Sequence, residues 1–479
     1  MSADQSFRVL PSNVDYTKIL PLAVESRSRR RTFFPVNGQT FSSGANNIIR
    51  IDVSADAFLD PKHSYLRFTM TNDTGQSMGL DFGGGHGFIQ RMRIEQAGNV
   101  LSDVNNYGKL LSSILLPAQG GIGSTSHRSI TEGVRYANGS AGPAGMTTDA
   151  PAAEQSGSLS AGCAANGDAQ IAALDQYTFA IPIVNGLLGT TQDKMVPLQL
   201  LGSSPLTIEI EIAPALDVGI YPAAPAAAGY SLSNIRYVAQ LVEVGPEVDQ
   251  QLRMVQEMSG GRLVLNGVDY THFNGNIPLG AQGNQVINVP ARRKSLKSLL
   301  FVGASKSYAG GAAQHLVYNQ SYGGNFRMRD YQAKFGSVLH PPTPVDCGFS
   351  DAAGSAGVRA EALTELAKCF GTVASTQGQG VLSSISYAVE DCDVANMTLT
   401  GAAGAPATVH RFAPFGLDLE AFQRTAIESG INTADRSLPI SLIINCDGAA
   451  ATEAINVDCY VSYDSLYYID QQGSIRVSM

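Results

Sequence analysis

Along much of the chain, apolar and polar residues alternate with a period of two. Ile49, Ile51 and Val53 are interleaved with Arg50 and Asp52, and Leu66, Phe68 and Met70 with Arg67 and Thr69. Met92 and Ile94 alternate with Arg91, Arg93 and Glu95. The clearest run is Leu206, Ile208, Ile210 and Ile212, broken by Thr207, Glu209 and Glu211. Successive strand side chains point to opposite faces, so these runs predict antiparallel sheets with one face buried and one wet. Further strands are expected over residues 177–184, 233–244, 262–265, 285–289, 296–302, 326–339, 438–446 and 455–468. The glycines at Gly83 to Gly87, around His86, fall between two strands and read as a turn rather than a phosphate cradle.

Helical patterns are few. One is expected over residues 107–116, ended by Pro117. Another is expected over 246–258, where Pro246 suits the first turn, Glu247 and Asp249 suit the N-terminal end of the dipole, and Gly260-Gly261 stops it. Two more are expected over 359–370 and 417–429. Residues 1–31 hold Pro11, Pro21 and no sustained apolar period, and read as an extended arm. Residues 117–175 form a long Gly/Ala/Ser/Pro-rich insertion, of a length that compact domains keep for function or leave disordered.

The order of features repeats. Arg91-Met92-Arg93 is answered by Arg327-Met328-Arg329, and the Gly-x-Val-Leu of Gly98 to Leu101 by that of Gly336 to Leu339. Phe179-Ala180-Ile181-Pro182 is answered by Phe412-Ala413-Pro414, and Tyr237-Val238 by Tyr460-Val461. The strand entered through Ser204-Pro205 is answered by the one entered through Ser437-Leu438-Pro439, and Asp249-Gln250-Gln251 by Asp470-Gln471-Gln472. Each match is weak, but the shared order predicts two similar all-β domains, with residues 206–213 and 438–446 in equivalent places. The spacing far exceeds that of solenoid or propeller units.

Composition narrows the function classes. Charged residues are 15% of the chain and glycines number 50, which suits long loops and surface covered by other subunits; a typical soluble chain is roughly a quarter charged. The net charge of −9 argues against a chain that coats nucleic acid over its whole surface. The one dense basic cluster is Arg27, Arg29, Arg30 and Arg31, which could meet nucleic acid, an acidic partner or lipid head groups, or simply be solvated. Met1 to Leu20 is interrupted by Asp4, Arg8, Asp15 and Lys18 and does not read as a signal peptide. No stretch approaches the apolar length of a membrane-spanning helix.

Catalytic constellations are not evident. There is no Walker loop, H-E-x-x-H, G-x-S-x-G or Rossmann fingerprint. The seven histidines are scattered, and the acidic group Glu390, Asp391 and Asp393 lacks the ligand pattern of a calcium loop. No enzyme activity, cofactor or small-molecule substrate is expected. The six cysteines lack metal or redox spacing and read as reduced, buried thiols of a protein made in the cytoplasm or nucleus. A Cys446–Cys459 disulfide is the lesser alternative. Asn72, Asn138, Asn319 and Asn396 head glycosylation sequons, expected to stay unmodified.

Taken together, the two sandwich halves, the Gly-rich insertions, the connector at Pro246 to Met258 and the segments Asp60 to Phe68 and Ser429 to Thr433 resemble the double jelly-roll major capsid proteins. The resemblance covers roughly residues 33–470. It implies an all-β fold of two tandem eight-stranded jelly-roll sandwiches with long loop insertions and a few short helices. Its divisions would be an arm at 1–32, a first roll at 33–245, a connector helix at 246–261, a second roll at 262–470 and a tail at 471–479. It also implies a virion subunit that forms pseudo-hexagonal homotrimers tiling an icosahedral shell. The loops 117–175 and 346–410 would build outward towers. The arm, with Arg27, Arg29, Arg30 and Arg31, would face inward. Its partners would be other copies of itself, minor capsid or penton proteins, and the genome or an internal membrane. The alternative from the residues alone is a carbohydrate-binding or adhesin-like sandwich, against which the absence of Trp counts.

Overall fold

The computed structural model describes residues 26–75, 78–119, 128, 131–133, 170–171, 174–189, 194–202, 204–220, 229–278, 280–305, 320–321, 323–324, 328–347, 360–371, 373, 382, 387, 413–420, 430–434, 439–446 and 454–478. Eight strands of the first half are β1 (Ser26–Phe33), β2 (Ile48–Val53), β3 (Phe58–Thr71), β4 (Ile89–Gln96), β5 (Asn99–Asn105), β6 (Gln176–Ile181), β7 (Leu206–Ile212) and β8 (Ser231–Val244). Eight of the second are β9 (Arg262–Ile277), β10 (Gly283–Asn288), β11 (Leu296–Ser305), β12 (Met328–Phe335), β13 (Val338–Asp346), β14 (Pro414–Asp418), β15 (Ile440–Cys446) and β16 (Ile455–Asp470). A last strand, β17 (Ile475–Ser478), pairs with the end of β16.

All pairings are antiparallel, and the two halves are wired alike. One sheet of the first half runs β1-β8-β3-β6 and the other β2-β7-β4-β5. The second half repeats this as β9-β16-β11-β14 and β10-β15-β12-β13. In each half the first strand pairs the last, the second the seventh, the third the sixth and the fourth the fifth. That winding is a jelly roll, whose two sheets face each other across one core.

Residue pattern explains the layering. In β7, Leu206, Ile208, Ile210 and Ile212 are buried and the intervening Thr and Glu residues are half-exposed. In β15, Ile440, Leu442, Ile444 and Cys446 repeat that pattern. Gly98 and Gly336 sit at the same β-turn of each half with φ of +82° and +61°, a conformation that Gly adopts without a Cβ clash. The second core centres on Phe301, Tyr331 and Phe415, whose rings lie 5.1 to 5.8 Å apart. The first centres on Phe68, Phe88 and Phe179, at 5.3 to 6.0 Å.

Four expectations need correction. Residues 26–32 are not arm but strand, paired along their whole length with β8. β1 is an edge strand that runs past the cover of the opposite sheet, so only Phe33 is buried and the apolar alternation that marks a strand is missing. Residues 326–339 are not one strand: Gly336 turns the chain between β12 and β13. Residues 414–418 pair with β11 as β14, so the helix expected to begin at Leu417 does not include Leu417 or Asp418; the rest of that expectation, 421–429, lies outside the described residues. Helix 107–116 does not stop at Pro117 but winds on to Gln119, with a wide i→i+5 stretch at Leu110–Leu115.

The connector helix, α1 (Pro246–Met258), and the second-half helix, α2 (Ala360–Lys368), form where the pattern places them. Gly83 to Gly87 lie between two strands, with Gly84–Phe88 forming a short, buried 3-10 turn. Most of the insertions at 117–175 and 346–410 lies outside the described residues, as do Asn138, Asn319, Asn396 and the acidic group at Glu390 to Asp393.

Candidate assembly surfaces

The arginine cluster lies along the free edge of the first roll. Arg29 pairs with Glu243 at 2.8 Å, with both side chains well exposed. Arg30 reaches over the Tyr65 ring at 5.7 Å, and Arg31 over Phe33 at 5.0 Å. Arg27, Arg29 and Arg31 stand opposite Glu243, Leu241 and Ala239, on the side of the sheet that carries the core. They extend beyond that core, and Arg31 borders an open cleft of about 380 Å³ lined also by Val53, Asp56, Leu198 and Pro205. Arg30 is on the other, outward side.

That outward side holds a second, smaller basic group that the sequence reading missed. Arg236 of β8 stands directly opposite Arg67 of β3. Both alternate with core residues, Ile235 and Tyr237 on one strand and Leu66 and Phe68 on the other, so both point away from the core. Like charges placed face to face across a sheet repel. Arg67 Nη1 and Arg236 Nε are turned from solvent without an acceptor. The only sequence signal was a positive charge at the polar position of two strands whose pairing was not known.

The two rolls are joined by a buried surface. The helical stretch after β5 lies against the sheet β9-β16-β11-β14. Lys109 Nζ donates to Asp458 Oδ2. Asp458 Oδ1 lies 2.7 Å from His272 Nε2, and the His272 ring lies against that of Tyr460, with centroids 4.9 Å apart and planes tilted by 44°. Tyr460 donates its hydroxyl to the Asn106 carbonyl at 3.1 Å. Burial opposes ionisation of Asp458, but the Lys109 charge and the His272 hydrogen bond outweigh it and hold the carboxyl well below the usual range. Apolar residues continue the seam: Leu265, Leu300, Val302, Tyr460 and Ile469 belong to the same cluster as the first-half core.

Three more contacts cross the seam. Asp81 accepts from the backbone amides of Gln320 at 2.9 Å and Ser321 at 3.2 Å. Gln96 donates to the Gly473 carbonyl at 2.8 Å and accepts from the Ile475 amide at 2.7 Å. Asp269, fully buried, sits against Ser102 and Gly186 of the first roll; burial raises its carboxyl to about 6, against the hydrogen bond from Ser102, those from the Tyr270 and Gly186 amides and the charge of Arg293.

A folded-state value above the ordinary one means that the native protein holds the Asp269 proton more tightly than the unfolded chain does. Stability from this group is therefore complete below pH ~4 and falls as pH rises to about 6. The loss is of order 3 kcal/mol. Asp269→Asn should remove that slope, so that the parent loses stability relative to the variant between pH 4 and 6.5. Denaturant unfolding at half-unit steps checks this; parallel curves for the two proteins would refute it.

Cys446 and Cys459 are free, buried thiols in opposite sheets. Burial pushes the Cys446 thiol up to about 11 and raises Cys459 as well. Asn72 is fully buried, its amide donating to the Ile171 carbonyl at 2.9 Å, which leaves no room for a glycan. Among the described residues no cluster of His, Cys, Asp or Glu is placed to hold a metal ion, and no helix is long and apolar enough to cross a membrane.

No family model and no curated protein matches the sequence. The fold does match solved structures. PBCV-1 VP54, fitted into a reconstruction of the virophage Sputnik, superposes with a TM-score of 0.55 at 9% identity, covering 97% of this chain and 99% of that one. The Faustovirus major capsid protein gives 0.54 at 9% identity, covering 96% and 92%. A Sputnik virophage structure gives 0.51 at 8% identity, covering 98% and 92%. With its two identically wound rolls and whole-length superposition, this chain has the double jelly-roll fold.

Proposed function

We propose that this chain is a major capsid protein, whose homotrimers, pseudo-hexagonal because each copy brings two rolls, tile an icosahedral shell. The observation that carries the reading is the one-to-one match of strands between halves, β1 to β9 through β8 to β16. Two similar units fixed side by side give three copies six similar corners. Closed point-group rings are how most soluble oligomers form. Solved structures that superpose with a TM-score above 0.5 include the PBCV-1 virus capsid and the Faustovirus major capsid protein.

In such a shell, Arg27, Arg29 and Arg31 serve as the inward cationic edge for acidic minor proteins, genome or anionic lipid. Contacts of that kind weaken as salt rises, because exposed charges are screened over about 10 Å at 0.1 M. Native mass spectrometry of the purified chain at micromolar concentration tests the central claim. A species of three times 50.4 kDa is expected, with larger shells in negative-stain images. A monomer at every salt concentration would overturn it.

A further inference from the structure

β1 ends its sheet. Among the described residues it pairs with β8 alone, so every second residue of Ser26–Phe33 turns its N–H and C=O away from the sheet. From Ser26 to Arg31 every residue is exposed. Backbone groups along such an edge are a template for an extended chain that reaches them.

Side chains along the edge decide which chain that is. Arg27, Arg29 and Arg31 leave the same side of the sheet, about 7 Å apart, which is the repeat of alternate residues in a strand. Another β1 laid along this edge would set arginine beside arginine, and like charges on neighbouring strands repel. The row therefore shields β1 from its own kind, while a strand with acids at alternate positions would find a partner at each step. Among the described residues the row holds one ion pair, Arg29 with Glu243, and both side chains are well exposed, so exchanging that carboxylate for another costs little. Beside Arg31, the open cleft lined by Val53, Leu198 and Pro205 leaves room for an apolar side chain at the end of the incoming strand. Nucleic acid and lipid head groups bring negative charge but no N–H and C=O at strand spacing, and would leave the edge unpaired.

We infer that β1 is a docking edge for an extended acidic segment of another protein, which adds to β1-β8-β3-β6 as a further strand and sets its carboxylates against Arg27, Arg29 and Arg31. Backbone pairing supplies the affinity, and the arginine row supplies the choice of partner. The partner's place inside a shell rests on the capsid reading; the pairing itself is a property of the free chain and is measured on it.

A fluorescent peptide of eight residues, the length of β1, with threonine and glutamate in alternation, is titrated with the purified chain and followed by anisotropy. Saturable binding is expected, weakening as salt rises. Two further peptides carry N-methyl groups, one on every threonine and the other on every glutamate. Both keep the charge, but each lacks the donors of one strand edge. One of them should bind at least about tenfold more weakly than the plain peptide and the other within about threefold of it. Arg27→Ala with Arg29→Ala and Arg31→Ala should also weaken binding at least about tenfold, with near-UV circular dichroism confirming the fold. Should that variant misfold, Arg27→Gln with Arg31→Gln serves instead, with a loss of at least about threefold expected. Absence of binding, or equal binding of both methylated peptides, overturns the docking edge. Tighter binding of oligothymidylate or of phosphatidylglycerol vesicles than of the peptide overturns it too, in favour of genome or membrane. Native mass spectrometry of the same sample reads the trimer independently, so the capsid reading stands or falls by itself.

Discussion

Lys109→Met lowers the free energy of unfolding by about 3 kcal/mol, the cost of leaving one partner of a buried ion pair behind. Lys109 and Asp458 are only 15% and 5% exposed, so water does little to compensate. Asp458 would keep His272, which is why the loss stays near the low end of the usual range. Urea or guanidinium unfolding at pH 7 measures it. A loss below 1 kcal/mol would mean that Asp458 is solvated or fully served by His272, and that the seam is held by its apolar residues. Arg262 and Asp470, 3.6 Å apart, provide the contrast: Arg262→Met should leave stability nearly unchanged, because the arginine is 58% exposed, Asp470 keeps Arg476 at 3.1 Å, and pairs with a solvated partner contribute little.

Gly267→Ala is the harsher change. A Cβ at Gly267 would stand 1.8 Å from the Gly186 carbonyl oxygen and 2.7 Å from its carbon. Both obstacles are backbone, so no rotamer change relieves them. The strand would have to lift away from the first roll, taking Asp269 with it. Overpacking costs typically 1 to 3 kcal/mol and more where the neighbour cannot move, so a loss of at least about 3 kcal/mol is expected. Gly87→Ala is the gentler comparison, since its methyl meets only the Gln320 amide oxygen, at 2.9 Å. Equal melting temperatures for parent and Gly267→Ala would show that the rolls can separate at this point without penalty.

Much of the fold was legible because many of its strands bury one face and leave the other wet. β2, β4, β7 and β15 state their period plainly, and Gly-x-Val-Leu lands on the equivalent turns at Gly98 and Gly336; Tyr-Val lands on equivalent strands but on opposite faces, Tyr237 in the first core and Tyr460 against the first roll, and Arg327 of Arg-Met-Arg lies outside the described residues. β7 (Leu206–Ile212) and β15 (Ile440–Cys446), the described strands within 206–213 and 438–446, hold the seventh position of their rolls, as the repeat predicts. Asp-Gln-Gln matches in order only, since Asp249 lies in α1 and Asp470 at the end of β16. Failures came where burial stops following strand period. β1 lies at an edge, and its arginines hid a strand inside what read as an arm. β14 lies under α2, and its run of buried residues, Pro414 to Leu417, has no alternation to read. The basic face of the first roll was not legible at all. Arg67 and Arg236 are 169 positions apart in the sequence, and only the register of β3 against β8 brings them together.

The Gln96 side chain bears on the order in which this protein can be made. Its two buried partners, the Gly473 carbonyl and the Ile475 amide, come from a part of the chain 379 positions later for the Ile475 contact. Ile475 itself packs into the apolar cluster of the first roll. During synthesis the first roll emerges early, yet its core keeps an open flank and an unanswered amide until those late residues leave the ribosome. Unfinished chains therefore expose apolar surface for the whole translation of the second roll, a state prone to wrong association. Only chains extended as far as Ile475 present a sealed first roll to their neighbours.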